Sequence, residues 1–289
     1  SKAVEEIIVA DKNFEALKQL VEKKQYAKAR CEFLDANEPE ALNKLLALEP
    51  EVIIDLLPVQ FMDRVASAAV DQGINLVNTF YTSPKIRELA QKAKEQEMAI
   101  LPEFGMDPGI DLVLLGEAMK ELEKVEVINS YGAGIPDFKA AATNPIQYKV
   151  TWTFEGVLRS YFRAGKIIRK GEVVQIKENE QFAPENTFEI FIEGVGALEA
   201  YPNGDALKYL PYIGIVEGSE SYQLIQHMGR YSMRWPGHCA FWKKLVDLHF
   251  LDDAPVAIAG VKIDRRQFLA KVIEPHIQLA ENEKDLAII

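Results

Sequence analysis

Three short apolar runs near the start of the chain each end on residues that could line a nucleotide cleft. Asp11 ends the first run, Asp35 follows the second, and Leu57-Pro58 ends the third. A carboxylate at the end of a strand can accept hydrogen bonds from the hydroxyls of a ribose. These positions predict a cofactor cleft in which Asp11 holds the ribose, although Asp11 taken alone fits a solvated helix N-cap equally well.

The same residues bear on which nicotinamide cofactor is bound. The carboxylate of Asp11 would repel a 2′-phosphate, which favours NAD, while Lys12 directly after it leaves NADP possible. A glycine turn of the type Gly-x-Gly-x-x-Gly should hold the pyrophosphate, yet Gly73 is the only glycine in residues 1–100. We therefore expect the strand, turn and helix before Ser1 to have been lost, and the strand-like residues 285–289 suggest trimming at both ends.

A turn-rich segment, Glu103–Asp111, carries a further acidic candidate. Gly105, Pro108 and Gly109 allow a tight backbone path that could place Asp107 against a bound cofactor. The alternative is an ordinary helix start with Asp111 as its cap.

Composition excludes several other classes of protein. The net charge is −11, so phosphate backbones and anionic membranes are repelled and neither nucleic acid nor membrane is expected as a partner. Cys31 and Cys239 lie far apart, and the histidines lack metal-ligand spacing, so no metal site is expected. The chain has neither a membrane-length apolar run nor an apolar leader, and we expect a cytoplasmic protein.

Alternating elements must position these residues. Apolar strands near residues 5–11, 31–34, 52–57, 75–79 and 98–102 alternate with amphipathic helices that follow them in sequence. This pattern predicts an α/β fold with a parallel sheet covered on both faces.

The second half is predicted to be an α+β domain. Strand-like stretches occur at 125–130, 148–154, 173–176 and 188–192. Helices are predicted at about 237–250 and 266–279, the latter broken at Pro275.

An ordered set of motifs runs through the chain from Glu5 to about Leu251. It comprises Asn78–Pro84, Gly105–Asp111, Ser130–Pro136, Asn144–Lys149 with Trp152, Tyr201–Asn203 and Arg234–His238. In this order the motifs resemble the saccharopine dehydrogenase family, in its glutamate-forming and lysine 6-dehydrogenase branch. The resemblance implies a Rossmann-type domain lacking its first strand and glycine turn, a substrate domain on a mixed sheet, and a homodimer. The predicted segments are 1–111 (dinucleotide-binding), 112–236 (substrate and dimerisation) and 237–289 (helical, returning to the first domain).

The resemblance also implies an activity, the oxidation or reduction of a carbon–nitrogen bond of an amino acid with a nicotinamide cofactor. Tyr81 and Asp107 match the family's catalytic tyrosine and aspartate, but Gly132 stands at its cysteine position. Gly204 stands where the family has an arginine suited to a substrate carboxylate.

Amine oxidation through an imine requires hydride transfer and an acid/base group. Asp107 is the candidate for acid/base chemistry or for orienting the cofactor, and Tyr81 is either a hydrogen-bond donor or a packed ring. With no arginine at 204, Arg234 and Lys149 are the cations available for a carboxylate, unless they form structural ion pairs. His238 is interpreted as a structural histidine.

The complete candidate sites follow. The cofactor site comprises Asp11, Lys12, Asp35, Leu57, Pro58 and Thr79, and the substrate site comprises Lys149, Tyr201, Asn203 and Arg234. The preferred function is an NAD(P)-dependent oxidoreductase acting on saccharopine, lysine or a related amino acid. A catalytically silent binding or assembly protein and a broader imine reductase remain as alternatives.

Overall fold

The computed structural model describes residues 4–150 and 153–278 of the chain. The chain divides into two compact units, Ser1–Leu112 and Val113–Ile289.

The first unit alternates strands and helices, as the sequence predicts. Its elements are β1 (Ile7–Asp11), α1 (Phe14–Lys24), β2 (Ala29–Phe33), α2 (Pro39–Leu46), β3 (Val52–Asp55), α3 (Met62–Gln72), β4 (Asn75–Asn78), α4 (Pro84–Glu95), β5 (Ile100–Leu101) and the start of α5 (Ile110–Lys120). All of its strand pairs are parallel. The α/β prediction is therefore confirmed for this unit.

Local sequence explains why the helices of this unit begin and end where they do. Ser83 caps α4 by accepting a hydrogen bond from the backbone of Ile86 at 3.0 Å, and Pro84 occupies the first turn. Gly73 ends α3 in the left-handed conformation, at φ 69°. The inner face of α3 packs on β4, where Leu76 is fully buried.

Among the described residues the strands of this unit form two separate sheets. One sheet has the order β1-β2 and the other β3-β4-β5. One long side of β1 and one of β3 therefore lack a strand neighbour in the described part of the chain. The apolar side chains of Val52, Ile54 and Leu56 are 49%, 69% and 71% exposed.

The second unit contains a mixed sheet. Its strands are β6 (Val127–Ala133), β7 (Gly165–Arg169), β8 (Glu172–Ile176), β9 (Phe188–Ile192), β10 (Gly196–Pro202) and β11 (His227–Arg234). The path β8-β7-β11-β10-β9 is antiparallel throughout, while β6 pairs with β11 in parallel. The mixed sheet implied by the resemblance is confirmed.

The remaining elements of the second unit are short helices and one hairpin. They are α6 (Phe138–Ala141), α7 (Phe154–Ser160), α8 (Glu220–Gln223), α9 (His238–Asp247), β12 (Val256–Ile258), β13 (Val261–Ile263) and α10 (Arg265–Ile277). The main core of the unit packs α7, α9 and α10 together around Trp242 and Tyr161.

Two predictions in this unit are wrong. A strand was predicted at 148–154, but the Asn144 side chain binds both backbone groups of Tyr148, and Phe154 begins a helix capped by Thr153. Residues 151–152 lie outside the described part. Pro275 does not break α10, because it lies in the last turn, where the helix has few hydrogen bonds left to lose. Residues 285–289, predicted to resemble a strand, also lie outside the described residues.

Candidate functional site

The carboxyl ends of β1 and β2 present the predicted carboxylates. Asp11 is exposed and its Oδ1 accepts the backbone N–H of Asn13 at 2.7 Å. The helix N-cap is Asn13 rather than Asp11. Asp35 accepts hydrogen bonds from the backbone and side chain of Asn37 at 2.9 and 2.8 Å, and these bonds lower its pKa. Lys12 is exposed beside Asp11, so an acceptor and a cation are both accessible at this edge.

The carboxyl ends of β3 and β4 carry two buried polar residues that sequence reasoning missed. Asp55 is 3% exposed and Asn78 is 0% exposed. Burial raises the pKa of Asp55 to about 6, against the lowering effect of a hydrogen bond from the backbone of Leu57. The signal in the sequence was an acid within an otherwise apolar run. Leu57 packs against the core of the first unit, and Pro58 is exposed.

The turns after β4 and β5 carry the predicted catalytic residues and are joined by hydrogen bonds. The Phe104 amide donates to the Asn78 carbonyl at 2.9 Å, and the Glu103 amide donates to the Phe80 carbonyl at 2.9 Å. The Glu103 carboxylate also accepts the Thr82 amide at 2.9 Å. The turn that contains Tyr81 is therefore fixed against the start of the segment that contains Asp107.

The segment around Asp107 is a tight turn. The Gly105 amide donates to the Pro108 carbonyl at 2.9 Å, and the Gly109 amide donates to Asp111 Oδ1 at 2.8 Å. Gly109 has φ 147°, and a Cβ there would lie 2.0 Å from the Gly105 carbonyl oxygen, so no other residue fits. Asp107 itself is exposed. Thr79 lies against this turn, since a Cβ on Gly105 would meet its side chain at 3.2 Å.

In the second unit, Arg234 at the end of β11 lies in a box of tyrosines. Its guanidinium carbon is 5.5 Å from the ring centre of Tyr148 and 5.8 Å from that of Tyr201. One amine donates to the Met233 carbonyl at 2.8 Å, whereas Nε is buried without a hydrogen-bond partner among the described residues. Gly134 faces the guanidinium, and a Cβ there would lie 3.7 Å from Nη1.

The tyrosine box is apolar enough to keep its tyrosines and His238 neutral. Burial raises the pKa of Tyr148, Tyr161 and Tyr201, although the charge of Arg234 opposes this effect. Burial and the charge of Arg234 hold the pKa of His238 well below its usual range, so the imidazole is neutral. Arg234 is therefore the charged centre of this box.

Several buried polar atoms around His238 have no partner within the described residues. They are Tyr161 Oη, His238 Nε2 and Trp242 Nε1. A cavity of about 70 Å³ opens beside two of these side chains and is lined by Pro145, Ile146, Gln147, Pro236, Gly237, His238, Phe241 and Trp242.

Glu199 on β10 holds the start of α9, which carries His238. Its two carboxylate oxygens accept the backbone amides of Gly237 and Cys239, each at 2.8 Å. Burial, followed by the charge of Glu199, raises the pKa of the Cys239 thiol. The sequence did not indicate this contact, because it joins residues on two distant elements.

The structure brings Tyr201 and Arg234 together, but it gives the other two predicted substrate residues different neighbours. Lys149 is buried and its amine donates to the Gln278 carbonyl at 3.4 Å. The Asn203 amide donates to the Arg230 carbonyl at 2.7 Å, and its side-chain oxygen lies 3.5 Å from an Arg163 amine. The Arg163 side chain also fills the space at residue 204, since its Cδ would lie 3.5 Å from a Cβ there.

Neither a metal site nor a membrane-spanning helix is found within the described residues. No cluster of three or more histidine, cysteine or acidic side chains there could hold a metal ion. No helix in the same residues is both long and apolar enough to cross a membrane.

Two family models match this chain. The saccharopine dehydrogenase NADP binding domain matches residues 1–101, and the saccharopine dehydrogenase C-terminal domain matches residues 105–289. Among curated proteins, the NADP⁺-dependent, L-glutamate-forming saccharopine dehydrogenase of Pyricularia oryzae is 30% identical over 247 residues, covering 83% of this chain and 52% of that protein. The mitochondrial alpha-aminoadipic semialdehyde synthase of Mus musculus is 31% identical over 202 residues, covering 68% of this chain and 21% of that protein.

A solved structure shares the fold. The apo L-Glu-forming saccharopine dehydrogenase from Saccharomyces cerevisiae gives a TM-score of 0.71 at 24% identity, covering 98% of this chain and 64% of that one. The chain spans about half the length of the fungal relatives that it matches.

Proposed function

The chain belongs to the saccharopine dehydrogenase family, and we propose that it forms part of an NADP-dependent oxidoreductase acting on the CH–NH bond of saccharopine or a related amino acid. The observation that carries this proposal is the tyrosine box around Arg234 in the second unit. Arg234 is half-buried, and its Nε has no hydrogen-bond partner among the described residues, which suits it to the carboxylate of an amino acid.

The first unit supplies the proposed cofactor site. The exposed carboxylate of Asp11 suits the ribose hydroxyls, and the exposed amine of Lys12 suits a 2′-phosphate. The sequence alone favoured NAD through Asp11. The matching family model and the fungal relatives are named for NADP, and Lys12 supplies the charge that NADP needs, so we now favour NADP. Asp35, Leu57, Pro58 and Thr79 complete the proposed lining.

The chemistry divides between cofactor and protein. A bound nicotinamide supplies the hydride acceptor or donor. In our proposal Asp107, exposed on its rigid turn, exchanges the proton of the amine, and Tyr81 donates a hydrogen bond at the reacting carbon–nitrogen bond. The hydrogen bonds between the two turns would preserve the spacing of these groups during the reaction.

The substrate carboxylate is proposed to bind Arg234, with Tyr201 beside the guanidinium. Neutral tyrosine hydroxyls can donate to a carboxylate, and the raised pKa values of Tyr148 and Tyr201 keep them protonated at neutral pH. Lys149 and Asn203 remain predicted contributors. Arg163 joins this site as a candidate cation near residue 204.

Cofactor choice is tested by fluorescence titration with NADPH and NADH, on this chain and on the product of the complete gene. We expect Lys12→Glu to weaken NADPH binding about tenfold and to leave NADH binding unchanged. A tenfold loss of affinity is roughly what the loss of one exposed charge contact with the 2′-phosphate would cause. Lys44→Glu is the matched control, because it makes the same change of charge at an exposed lysine. Lys44 lies in the last turn of α2, which leads back toward the amino-terminal edge of the strands and so away from the proposed cofactor site. Equal effects of the two variants would contradict the proposed site.

Activity is tested with saccharopine, lysine and related amino acids in the oxidative direction. The proposal is supported if the protein turns over one of these substrates with NADP⁺ and if Asp107→Ala abolishes this turnover while the variant still folds. If the complete gene product binds neither cofactor, the oxidoreductase proposal fails and the alternative of a binding or assembly protein replaces it.

Three further predictions concern the segments, the assembly and the location of the protein. The segments 1–111, 112–236 and 237–289 are proposed as functional parts, and a homodimer is proposed from the family resemblance. Sedimentation equilibrium of the complete gene product checks the dimer. The cytoplasmic location stays a prediction.

A further inference from the structure

Asp55 and Asn78 end two neighbouring strands side by side. They are paired in the parallel register of β3 and β4, and both side chains are almost fully buried. Paired residues on adjacent strands point to the same face and lie about 5 Å apart. The two side chains are therefore neighbours at the carboxyl edge of the sheet.

Each side chain uses one polar atom to close the turn that follows its strand. Asp55 Oδ1 accepts the Leu57 amide at 3.0 Å, and Asn78 Oδ1 accepts the Phe80 amide at 3.1 Å. If the carboxylate of Asp55 or the amide group of Asn78 rotated by a half-turn, its second polar atom would face the backbone amide that the first one now binds. For Asn78 this rotation would set a donor against a donor.

The second polar atom of each side chain is buried without a partner among the described residues. These atoms are Asp55 Oδ2, an acceptor, and Asn78 Nδ2, a donor. Leaving either atom unpaired destabilises the folded state, because the atom loses the hydrogen bond that it makes to water in the unfolded chain. The two atoms form no direct hydrogen bond with each other in this structure. An acceptor and a donor on adjacent side chains can be satisfied together by one shared water molecule.

The backbone of Asn78 connects this pair to the two turns at the same edge. Its carbonyl accepts the amide of Phe104, and the turn that follows it carries Tyr81. A shift of Asn78 therefore moves both the Tyr81 turn and the segment leading to Asp107.

We propose that Asp55 and Asn78 form a coupled acid–amide pair that positions the Tyr81 turn against the Asp107 turn. Both are positioning residues, since each acts through its turn. This inference rests on the proposed function insofar as Tyr81 and Asp107 are the reacting groups.

The test is an exchange of the two side chains. Asp55→Asn sets two amide donors against each other, and Asn78→Asp sets two carboxylates together. The double variant Asp55→Asn/Asn78→Asp restores one donor and one acceptor with their positions reversed. Asp71→Asn is the control, because Asp71 is an exposed partner of Lys92 on the surface.

Steady-state kinetics at pH 8 supply the first readout. We expect each single variant to lower kcat about tenfold or more with little change in the KM for the amino acid, and the exchange to recover most of that loss. If the fold-losses in kcat of the two single variants simply multiply in the double variant, the pairing is refuted. It is also refuted if Asp71→Asn lowers kcat as much as the single variants do.

Amide hydrogen exchange supplies a readout that does not depend on turnover. We expect the Leu57, Phe80 and Phe104 amides to exchange about tenfold faster in each single variant and near the wild-type rate in the double variant. If the complete gene product shows no turnover, the proposed function fails. The amide exchange rates would still show whether Asp55 and Asn78 are coupled. Unchanged rates in the single variants, or additive acceleration in the double variant, would refute it.

Discussion

Replacing Glu199 by alanine removes a carboxylate that caps α9 from a neighbouring strand. Both of its oxygens accept backbone amides, from Gly237 and Cys239, each at 2.8 Å. Alanine would leave these two amides at the helix N-terminus without their acceptor. It would also remove a negative charge from the positive end of the helix dipole.

The expected loss of stability follows from these contacts. A hydrogen bond to a charged group contributes about 1.5–3 kcal/mol, and the helix-end charge adds about 0.3–1 kcal/mol. Glu189 lies opposite Glu199 in the β9–β10 register, so removing one carboxylate relieves a repulsion of about 0.2–1 kcal/mol. Taking both hydrogen bonds at the low end of their range, because the site is near the surface, we expect Glu199→Ala to lower the free energy of unfolding by about 3 kcal/mol. At an m-value near 3 kcal/mol/M this shifts the urea midpoint by about 1 M.

Urea unfolding followed by tryptophan fluorescence measures this effect, because Trp235 and Trp242 lie next to and within α9. Glu189→Ala is the matched control, since it relieves the same repulsion from the exposed side chain but removes no cap. We expect it to be neutral or slightly stabilising, and Glu199→Gln to fall between the two. If Glu199→Ala proved no more destabilising than Glu189→Ala, the cap would have no energetic role and the reasoning would be wrong.

Four further outcomes are expected. Burial raises the pKa of Asp55 from 3.8 to about 6, so the stability that its protonation contributes is fully present below pH 3.8 and is lost as the pH rises through about 6. The free energy of unfolding should fall by up to about 3 kcal/mol over that range, a fall that urea titrations should find absent in Asp55→Asn. Arg234→Met should lower kcat/KM for the amino acid about a hundredfold or more in steady-state assays, with cofactor affinity by titration unchanged. Gly109→Ala should disrupt the turn, since its Cβ would lie 2.0 Å from the Gly105 carbonyl oxygen, and circular dichroism with limited proteolysis should reveal the damage. Leu76→Ala in the fully buried centre of β4 should cost about 2–5 kcal/mol in chemical denaturation.

Local patterns predicted the first unit well. The apolar run predicted as a strand near residues 75–79 matches β4, Asn75–Asn78. The prediction of a strand at 148–154 failed because the Asn144 side chain and the Thr153 cap decide that segment. Strand β11 was missed, since its run combines arginines with a glycine on which the Tyr231 ring lies. Long-range packing, rather than local propensity, sets such strands.

The candidate site, like the fold, was predicted from the sequence only in part. Motif order singled out Arg234 and Tyr201, and the structure brings them together in one box. Glu199 escaped notice because its partners lie on another element, and Asp55 because only the folded sheet shows that it is buried. Whether a side chain is buried depends on the assembled fold. A single polar residue within an apolar run is therefore a weak indication of a functional site when only the sequence is known.

Within the described residues, one long side of β1 and one of β3 have no strand neighbour, which affects how this part of the chain behaves in solution. Strand edges without a neighbour, flanked by exposed Val52, Ile54 and Leu56, are templates on which further copies can stack into aggregates. Mutual repulsion from the net charge of −11 opposes such stacking at low ionic strength. Because salt shortens the range of that repulsion to about 8 Å at physiological strength, colloidal stability of the isolated polypeptide should decline as salt is added.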